Sequence, residues 1–289
     1  MNYRIANDLK DALDLLRKNK GEARAVAGAT DLFLQDFSGF LVDISEIPEL
    51  TGVEEKDGLL QVGAALTHSD AALSDPIKKK ATALAEACSR IGSPQVRNIG
   101  TLGGNVVNAA PAADAAVALV GLGAEAVLVD LEGRSRQKAV EELYLDYNCS
   151  LVESSSEIIA RLLISPCRSG EGSAFSRFAP RKSLSLPLVN AAARVRLSDS
   201  GIAEARLVVA PVKPFPTRLK RTENLLPGCL LQEVPWAEIE KTAVEEVAVR
   251  GSLLRCSAQY RRHLVGVLAG RALKTALERA CGNELGGEK

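Results

Sequence analysis

The sequence predicts an α+β protein with two N-terminal lobes and a C-terminal domain. Apolar runs of strand length alternate with stretches whose apolar residues recur at helical spacing. The chain of 289 residues is long enough for two domains. A polar, glycine-containing segment at 168–173 indicates the main boundary. We therefore expect a small α/β lobe over 1–56, a larger α+β lobe over 57–168 and a C-terminal α+β domain, a β-sheet with terminal helices, over 173–285.

The first lobe is predicted to open with an amphipathic helix. Apolar residues repeat at helical spacing from Leu9 to Leu16, behind Asn7 and Asp8, which can cap the first turn. Buried strands are expected at 24–26 and 40–44. A tight loop of small residues lies between them.

The second lobe mixes strands and helices around a glycine-rich segment. Strands are predicted at 59–63, 125–130 and 157–164, and helices at 81–88 and 115–122. Thr67, with Asp70 three residues later, is typical of a further helix start. The glycine-rich segment, residues 93–105, is predicted to be a loop.

The C-terminal domain begins with strands and ends with helices. The strands are predicted at 174–178, 189–197 and 202–210. The last helix is expected to begin near Ser257, because an apolar stripe follows at helical spacing. The stripe consists of Leu264, Val267, Leu268, Ala272, Leu273 and Ala276.

Composition excludes several classes of function. The 36 basic and 36 acidic residues balance, so a nucleic acid or an acidic membrane surface is not expected as a partner. Apolar runs are shorter than the roughly 20 residues needed to span a bilayer, and no basic-then-apolar leader is present at the N-terminus. We expect a soluble, cytoplasmic protein without a membrane span.

The six cysteines are scattered, without a C-x-x-C pair or a neighbouring histidine at metal-ligand spacing. This pattern favours free thiols in a reducing compartment. An iron–sulfur or zinc site within this chain is not expected.

Two separated loops carry the functional signal. Residues 27–31 form a small-residue loop after a strand, and residues 93–105 are rich in glycine, hydroxyl and amide groups. Backbone N–H groups in such loops bind phosphates, and Thr30 and Thr101 each add a hydroxyl. Together the loops suit a pyrophosphate held between two lobes.

The two best-known nucleotide-binding motifs are absent. Neither loop has the G-x-G-x-x-G spacing of a dinucleotide-binding Rossmann fold, and no Gly-Lys-Ser or Gly-Lys-Thr of a P-loop is present. A dinucleotide would have to bind in another way.

Across nearly its whole length, the chain resembles the FAD-binding medium subunits of molybdenum hydroxylases, the family of the carbon monoxide dehydrogenase flavoprotein and the xanthine dehydrogenase flavin domain. The matching segments are Ala27-Gly28-Ala29-Thr30-Asp31-Leu32, Leu41-Val42-Asp43-Ile44, Ile91-Gly92-Ser93-Pro94-Gln95-Val96-Arg97-Asn98, Thr101-Leu102-Gly103-Gly104-Asn105, Pro111-Ala112-Ala113-Asp114 and Tyr260-Arg261-Arg262-His263-Leu264.

The resemblance implies a set of FAD-binding residues. The first loop would lie along the pyrophosphate through Arg24, Ala25, Val26, Ala27, Gly28, Ala29, Thr30, Asp31 and Leu32. The second would add N–H and hydroxyl contacts from Thr101, Gly103, Gly104 and Asn105. Asp114 would bind the sugar end of the cofactor, Ile91 and Ile159 would line the flavin site, and Arg177 would lie beside the flavin.

The chain departs from the family pattern at two positions. Ala29 replaces the second glycine of the usual Ala-Gly-Gly-Thr-Asp, which costs on the order of 1 kcal/mol if that position has a positive φ. Arg177 replaces the usual lysine, which keeps the charge but changes the donor geometry. We expect Arg177 to stabilise the reduced, anionic flavin; the alternative is a surface arginine paired with a carboxylate.

The remaining polar candidates are assigned to structural roles. His68 and His263 are expected to be structural or solvated, so the FAD is predicted to be non-covalent. Arg97 and Asn98 are expected to order the second loop through side-chain bonds to the backbone, with contact to the cofactor as the alternative. No nucleophile–base pair or carboxylate pair indicates acid–base catalysis, so no catalytic residue is predicted.

The resemblance implies an electron-transfer subunit of an oxidoreductase complex. A large molybdopterin subunit would oxidise the substrate, a small subunit with two [2Fe–2S] clusters would relay electrons, and FAD here would pass them to NAD⁺, a quinone or O₂. Such complexes are typically dimers of heterotrimers. A stand-alone FAD-dependent oxidoreductase and a flavin-free assembly scaffold are the alternatives.

Overall fold

The structure is a computed structural model that describes residues 2–34, 39–249, 251 and 255–282. It is a mixed α/β molecule with three main sheets and three hydrophobic cores. The α+β fold class with two N-terminal lobes and a C-terminal sheet with terminal helices is confirmed. The residue boundaries of the three parts stay a prediction.

The first lobe is a three-stranded parallel sheet in the order β1-β3-β2. Its elements are β1 (Asn2–Ile5), α1 (Leu9–Lys18), β2 (Ala23–Val26) and β3 (Phe40–Asp43). Asp8 caps α1 by accepting a 2.7 Å bond from the Asp11 N–H. The helix buries its predicted apolar face. The sequence did not predict β1, whose four residues are all exposed.

The second lobe is a five-stranded antiparallel sheet in the order β4-β5-β10-β6-β7. Its strands are β4 (Val53–Lys56), β5 (Leu59–Gly63), β6 (Glu125–Asp130), β7 (Ser135–Ala139) and β10 (Glu157–Ile164), and β8 (Tyr144–Asp146) pairs with β9 (Cys149–Ser150) in a small hairpin. Its helices are α2 (His68–Leu73), α3 (Asp75–Lys80), α4 (Thr82–Ser89), α5 (Pro94–Arg97), α6 (Leu102–Val107) and α7 (Asp114–Leu122).

Helix α7 lies between the second lobe and the C-terminal sheet. All nine of its residues are buried, and it packs against α4 on one side and on the other against strand β12 (Val189–Ser198) of the C-terminal sheet. Gly121 allows this close approach, because an added Cβ would lie 2.8 Å from the Cβ of Ala192. A helix that is apolar on every side is typical of such a fully enclosed position.

The C-terminal domain is a four-stranded antiparallel sheet in the order β11-β12-β13-β14. Its elements are β11 (Glu171–Phe178), β12 (Val189–Ser198), β13 (Gly201–Ala210), β14 (Thr217–Arg218), α8 (Lys220–Glu223), α9 (Trp236–Glu245) and α10 (Ala258–Ala280). Ser257 caps α10 by accepting a 3.1 Å bond from the Tyr260 N–H. The helix packs on β11 and β12.

One predicted boundary segment is partly strand. The linker-like residues 168–173 were expected to precede the first C-terminal strand, but β11 begins at Glu171. Gly172 lies so close to α10 that an added Cβ would be 2.1 Å from the carbonyl oxygen of Ala276. Glycine therefore serves here for close packing, which the sequence pattern cannot distinguish from flexibility.

All six cysteines lie within the described residues and are free. No helix in the described ranges combines the length and apolar character that a bilayer crossing needs.

We expect Gly172→Ala to lower the free energy of unfolding by about 1–3 kcal/mol, because the new methyl group overlaps backbone atoms of α10. Gly52→Ala is the matched control, since nothing lies within 4 Å of an added Cβ there. Urea denaturation of both variants measures the difference. Equal stability of the two variants would contradict this packing role.

Candidate functional site

The turn after β2, residues 27–31, forms one side of the candidate site. None of its five backbone N–H groups donates a hydrogen bond to any residue that the structure describes. Consecutive unpaired N–H groups in a turn form a concave donor surface for an anion. The turn is at the protein surface, with Thr30 and Asp31 exposed.

Ala29 has a φ of 51°, in the left-handed region. The sequence left open whether residue 29 has a positive φ, and the structure shows that it does. An alanine there is strained by roughly 1–2 kcal/mol relative to a right-handed conformation. Its carbonyl accepts a bond from the Phe33 N–H, which starts the single helical turn at Leu32–Leu34.

The two predicted loops meet at Gly28. A Cβ added to Gly28 would lie 2.1 Å from the carbonyl oxygen of Ile99 and 2.9 Å from the Cα of Gly100. Nearby, Asn108 Nδ2 donates a 2.7 Å bond to Asp31 Oδ2. The turn at residues 27–31 is therefore in direct contact with the glycine-rich residues 93–105, although about 70 residues separate Gly28 from Ile99 in the sequence.

The glycine-rich residues 93–105, called here the second segment, were predicted to be a loop. Instead, residues 102–107 form helix α6. Thr101 caps it by accepting a 3.1 Å bond from the Gly104 N–H. The Gly103 N–H donates to the Ala64 carbonyl at 2.7 Å, and the Leu102 and Asn105 N–H groups are also bonded within the protein. These N–H groups therefore have acceptors within the protein, and their contact with a cofactor stays a prediction.

Asn105 has a role that the sequence did not indicate. Its Oδ1 accepts a 3.1 Å bond from the Ala116 N–H in the first turn of α7. The second segment is thus fixed on one side to Ala64 and on the other to α7. This rigid segment supports the first turn at Gly28.

Helix α5 orders the approach to the second segment. Ser93 caps it by accepting from the Val96 N–H, and Arg97 Nη1 donates a 2.8 Å bond to the Ile91 carbonyl. The ordering role expected of Arg97 is therefore observed, whereas Asn98 is exposed. Ile91 itself is half-buried.

His68 lies directly beneath Gly100. A Cβ added to that glycine would lie 3.2 Å from the His68 ring carbon Cδ2. The His68 N–H donates to the Gly100 carbonyl at 2.9 Å, and Nδ1 has no partner among the described residues. Burial first, and then the neighbouring Arg97 charge, lower the pKa of His68 to about 4. The imidazole is neutral near pH 7.

Asp114 and Arg177 form a buried ion pair between the second lobe and the C-terminal sheet. Arg177 Nε donates to Asp114 Oδ2 at 3.0 Å, and Asn190 Nδ2 donates to Asp114 Oδ1 at 2.6 Å. Burial raises the pKa of Asp114 to about 6, and it outweighs the opposing charge of Arg177. Arg177 is paired with a carboxylate, as in the alternative considered above, but it is buried rather than on the surface.

The other candidate residues lie in strands beside these turns. Arg24, Ala25 and Val26 belong to β2, and the Ala25 N–H donates to the Ser154 carbonyl at 2.7 Å. Ile159 is 4% exposed in β10, where the ladder to β6 is irregular between Ile159 and Arg161. This irregularity lies next to the bond from the Ala64 N–H to the Ala160 carbonyl.

Left-handed backbone conformations occur in and near this site. Among the described residues, five that are not glycine have a positive φ, and Asp57 and Asn148 occupy tight turns between paired strands. Of the other three, Ala29 lies in the first turn, Ala109 follows Asn108, which bonds Asp31, and the Leu184 N–H donates to the Gly92 carbonyl. Such strain is typical of functional sites.

In the described part of the chain, no cluster of three or more His, Cys, Asp or Glu residues could hold a metal ion.

Two family models together match most of the chain. Residues 1–165 match the FAD binding domain in molybdopterin dehydrogenase, and residues 174–276 match the CO dehydrogenase flavoprotein C-terminal domain.

This chain is similar to known proteins of this type over almost their full length. The chain is 30% identical to the 6-hydroxypseudooxynicotine dehydrogenase complex subunit alpha of Paenarthrobacter nicotinovorans, covering 96% of this chain and 95% of that protein. It is 27% identical to the carbon monoxide dehydrogenase medium chain of Hydrogenophaga pseudoflava, covering 96% and 97%. The structure superimposes on a chain of Cu,Mo-CO dehydrogenase with a TM-score of 0.88 and 26% identity, covering 96% and 98%.

We expect Ala29→Gly to raise the free energy of unfolding by about 1 kcal/mol, because glycine adopts a positive φ without strain. Ala27→Gly, in the same turn at an ordinary φ, is the control and should lower stability by about 0.5–1 kcal/mol. Chemical denaturation compares the two. A loss of stability in Ala29→Gly as large as that in Ala27→Gly would contradict the strain.

We expect His68 to make the protein less stable in acid. Between pH 6.5 and about pH 4 the unfolded chain binds a proton at this residue that the folded chain does not, so the free energy of unfolding falls as the pH falls. The fall is on the order of 3 kcal/mol. Denaturation at several pH values measures this slope.

His68→Gln should flatten the acid slope, whereas His263→Gln, at the exposed second histidine, should keep it. Because the pKa of Asp114 is raised in the folded chain, this residue increases the free energy of unfolding as the pH falls, which opposes the effect of His68. This contribution is the same in both variants. Identical slopes in the two variants would rule out the buried, neutral His68.

Proposed function

Because the chain belongs to the FAD-binding medium subunits of the molybdenum hydroxylase family, we propose that it passes electrons from the iron–sulfur clusters of a partner subunit through FAD to an external acceptor. The resemblance to this family is thereby confirmed, and so is the prediction that the cofactor is FAD. The finer type of the complex, xanthine or carbon monoxide dehydrogenase, is not assigned.

One observation carries the assignment of the FAD site. The five unpaired N–H groups of residues 27–31 face no acceptor in the described part of the chain, and Gly28 holds this turn against Ile99 and Gly100. This donor set fits a pyrophosphate, since successive backbone N–H groups bind phosphate oxygens well. The residues present therefore fit FAD.

We assign the remaining contacts from the positions of the side chains. Arg24, Ala25, Val26 and Leu32 flank the turn that would hold the pyrophosphate, together with Thr30 and Asp31. Gly103 and Gly104 would allow close approach, and Thr101 and Asn105 would hold the second segment in place. Asp114 and Arg177 would bind the sugar and flavin end, with Ile91 and Ile159 as apolar walls.

FAD, when bound, supplies one- and two-electron redox chemistry. The chain's contribution is binding, orientation and the electrostatic environment. Arg177 shares its charge with Asp114, so the pair is neutral when the carboxyl is ionised and carries a net positive charge when it is protonated. A cation beside the flavin would favour its reduced form.

The other centres of the electron path belong to other chains. In carbon monoxide dehydrogenase-type complexes, molybdopterin and iron–sulfur clusters are held by partner subunits of the medium chain. We propose the same division here, with a large and a small partner subunit and a dimer of heterotrimers. NAD⁺, a quinone and O₂ are the candidate acceptors.

We expect the purified chain to bind FAD non-covalently, and Gly28→Ala to raise the dissociation constant at least about tenfold. The added methyl group meets the Ile99 carbonyl and forces the two turns apart. Titration of flavin fluorescence measures the affinity, and acid precipitation should release the FAD into the supernatant.

Gly52→Ala is the control for this titration and should bind FAD as the original chain does. Wild-type protein that binds no FAD would instead support the flavin-free scaffold. Purification of the chain alone from its native host would favour a stand-alone oxidoreductase, whereas co-purification with large and small subunits supports the complex.

A further inference from the structure

We propose that Arg177 is a positioning residue that holds the β11–β12 loop, residues 179–188, against the Ile91–Gly92 turn. This inference rests on the proposed FAD site, because Ile91 is assigned to the flavin wall. It gives the guanidinium a mechanical role in addition to its charge.

The guanidinium of Arg177 is bonded on two sides. Nε donates to Asp114 at the start of α7, and one terminal nitrogen donates to the carbonyl oxygen of Ser185 in the loop. Asn190 holds the other oxygen of the same carboxylate. The Arg177 side chain is 9% exposed, so its bonds are shielded from water. One buried side chain thus connects the loop to α7.

The tip of the loop is fixed to the turn at Gly92. The Ser183 hydroxyl and the Leu184 N–H both donate to the Gly92 carbonyl, at 3.2 and 3.1 Å. Arg181 donates to the Leu184 carbonyl at 2.8 Å. These bonds tie a segment of the C-terminal domain to the second lobe beside Ile91.

Hydrogen bonds, rather than burial, keep the tip in this conformation. Leu184 has a φ of 48°, which is unfavourable for a leucine, and its side chain is largely exposed. Leu186 is also largely exposed, so little apolar burial holds the tip. The bonds to Gly92 and Ser185 must offset the strain, and loss of one should open the loop.

Arginine suits this position better than lysine. The planar guanidinium directs its donors along different edges, so it can bond Asp114 and Ser185 at the same time. A lysine presents its donors on a single nitrogen at the end of a flexible chain. Arg177→Lys therefore keeps the charge while weakening the two-sided connection.

Limited trypsin digestion tests the loop directly, because Arg181 and Lys182 lie within it. In the FAD-free full-length chain, we expect Arg177→Lys to be cleaved after these residues about tenfold faster than the original protein. Arg196→Lys, at an exposed arginine of β12 paired with Glu204, is the control and should be cleaved at the original rate.

Ser183→Ala provides a second, milder test, because it removes one bond from the loop tip and leaves the Arg177 pair intact. Cleavage should again be faster than in the original chain, with unchanged circular dichroism. Unchanged cleavage of Arg177→Lys would overturn the proposal, whatever the result for Ser183→Ala. Because this comparison needs no FAD, it stands even if the proposed cofactor site is wrong.

The midpoint potential of bound FAD separates positioning through the loop from a direct effect of the guanidinium on the flavin. If the loop shields the flavin, Arg177→Lys and Ser183→Ala should shift the potential in the same direction, and Arg196→Lys should not. A shift confined to Arg177→Lys would mean that the guanidinium acts on the flavin directly and not through the loop, which contradicts the positioning role.

Discussion

The close approach of Gly28 to the Ile99–Gly100 backbone is the constraint on which the site depends. No side chain fits between the two segments, so the first lobe can dock on the second only with glycine at this position. The docked turn has a left-handed residue at Ala29 and a row of N–H groups that bond none of the described residues. The second segment supports this turn because its own donors are bonded to Ala64, Leu66 and neighbouring backbone groups.

A second connection joins the N-terminal lobes to the C-terminal domain. The ion pair of Asp114 and Arg177 links α7 to β11, and the same arginine reaches the β11–β12 loop. Burial of this pair costs desolvation energy, which is visible in the raised pKa of Asp114. A buried charge network at a domain interface therefore places the C-terminal sheet beside the proposed flavin end of the site.

Local signals predicted much of this structure. Asp8 and Thr67 cap helices as expected, and the last helix begins next to Ser257. The strands at 59–63, 125–130 and 157–164 occur with the predicted bounds. Helix α6 was missed because paired glycines disfavour a helix by about 1 kcal/mol each, while the Thr101 cap and close packing on Ala64 favour it here. The pairing of Asp114 with Arg177 has no local signal, since it depends on how distant strands and helices pack.

The central claim is that residues 27–31 are the phosphate donors, and hydrogen–deuterium exchange of the complete chain tests it most directly. Without FAD, these five amides should exchange rapidly, because they donate no bond to the described residues. Saturating FAD should slow their exchange strongly and leave the already bonded amides of Leu102 to Asn105 little changed. Protection of residues 102–105 with no change at residues 27–31 would contradict this account.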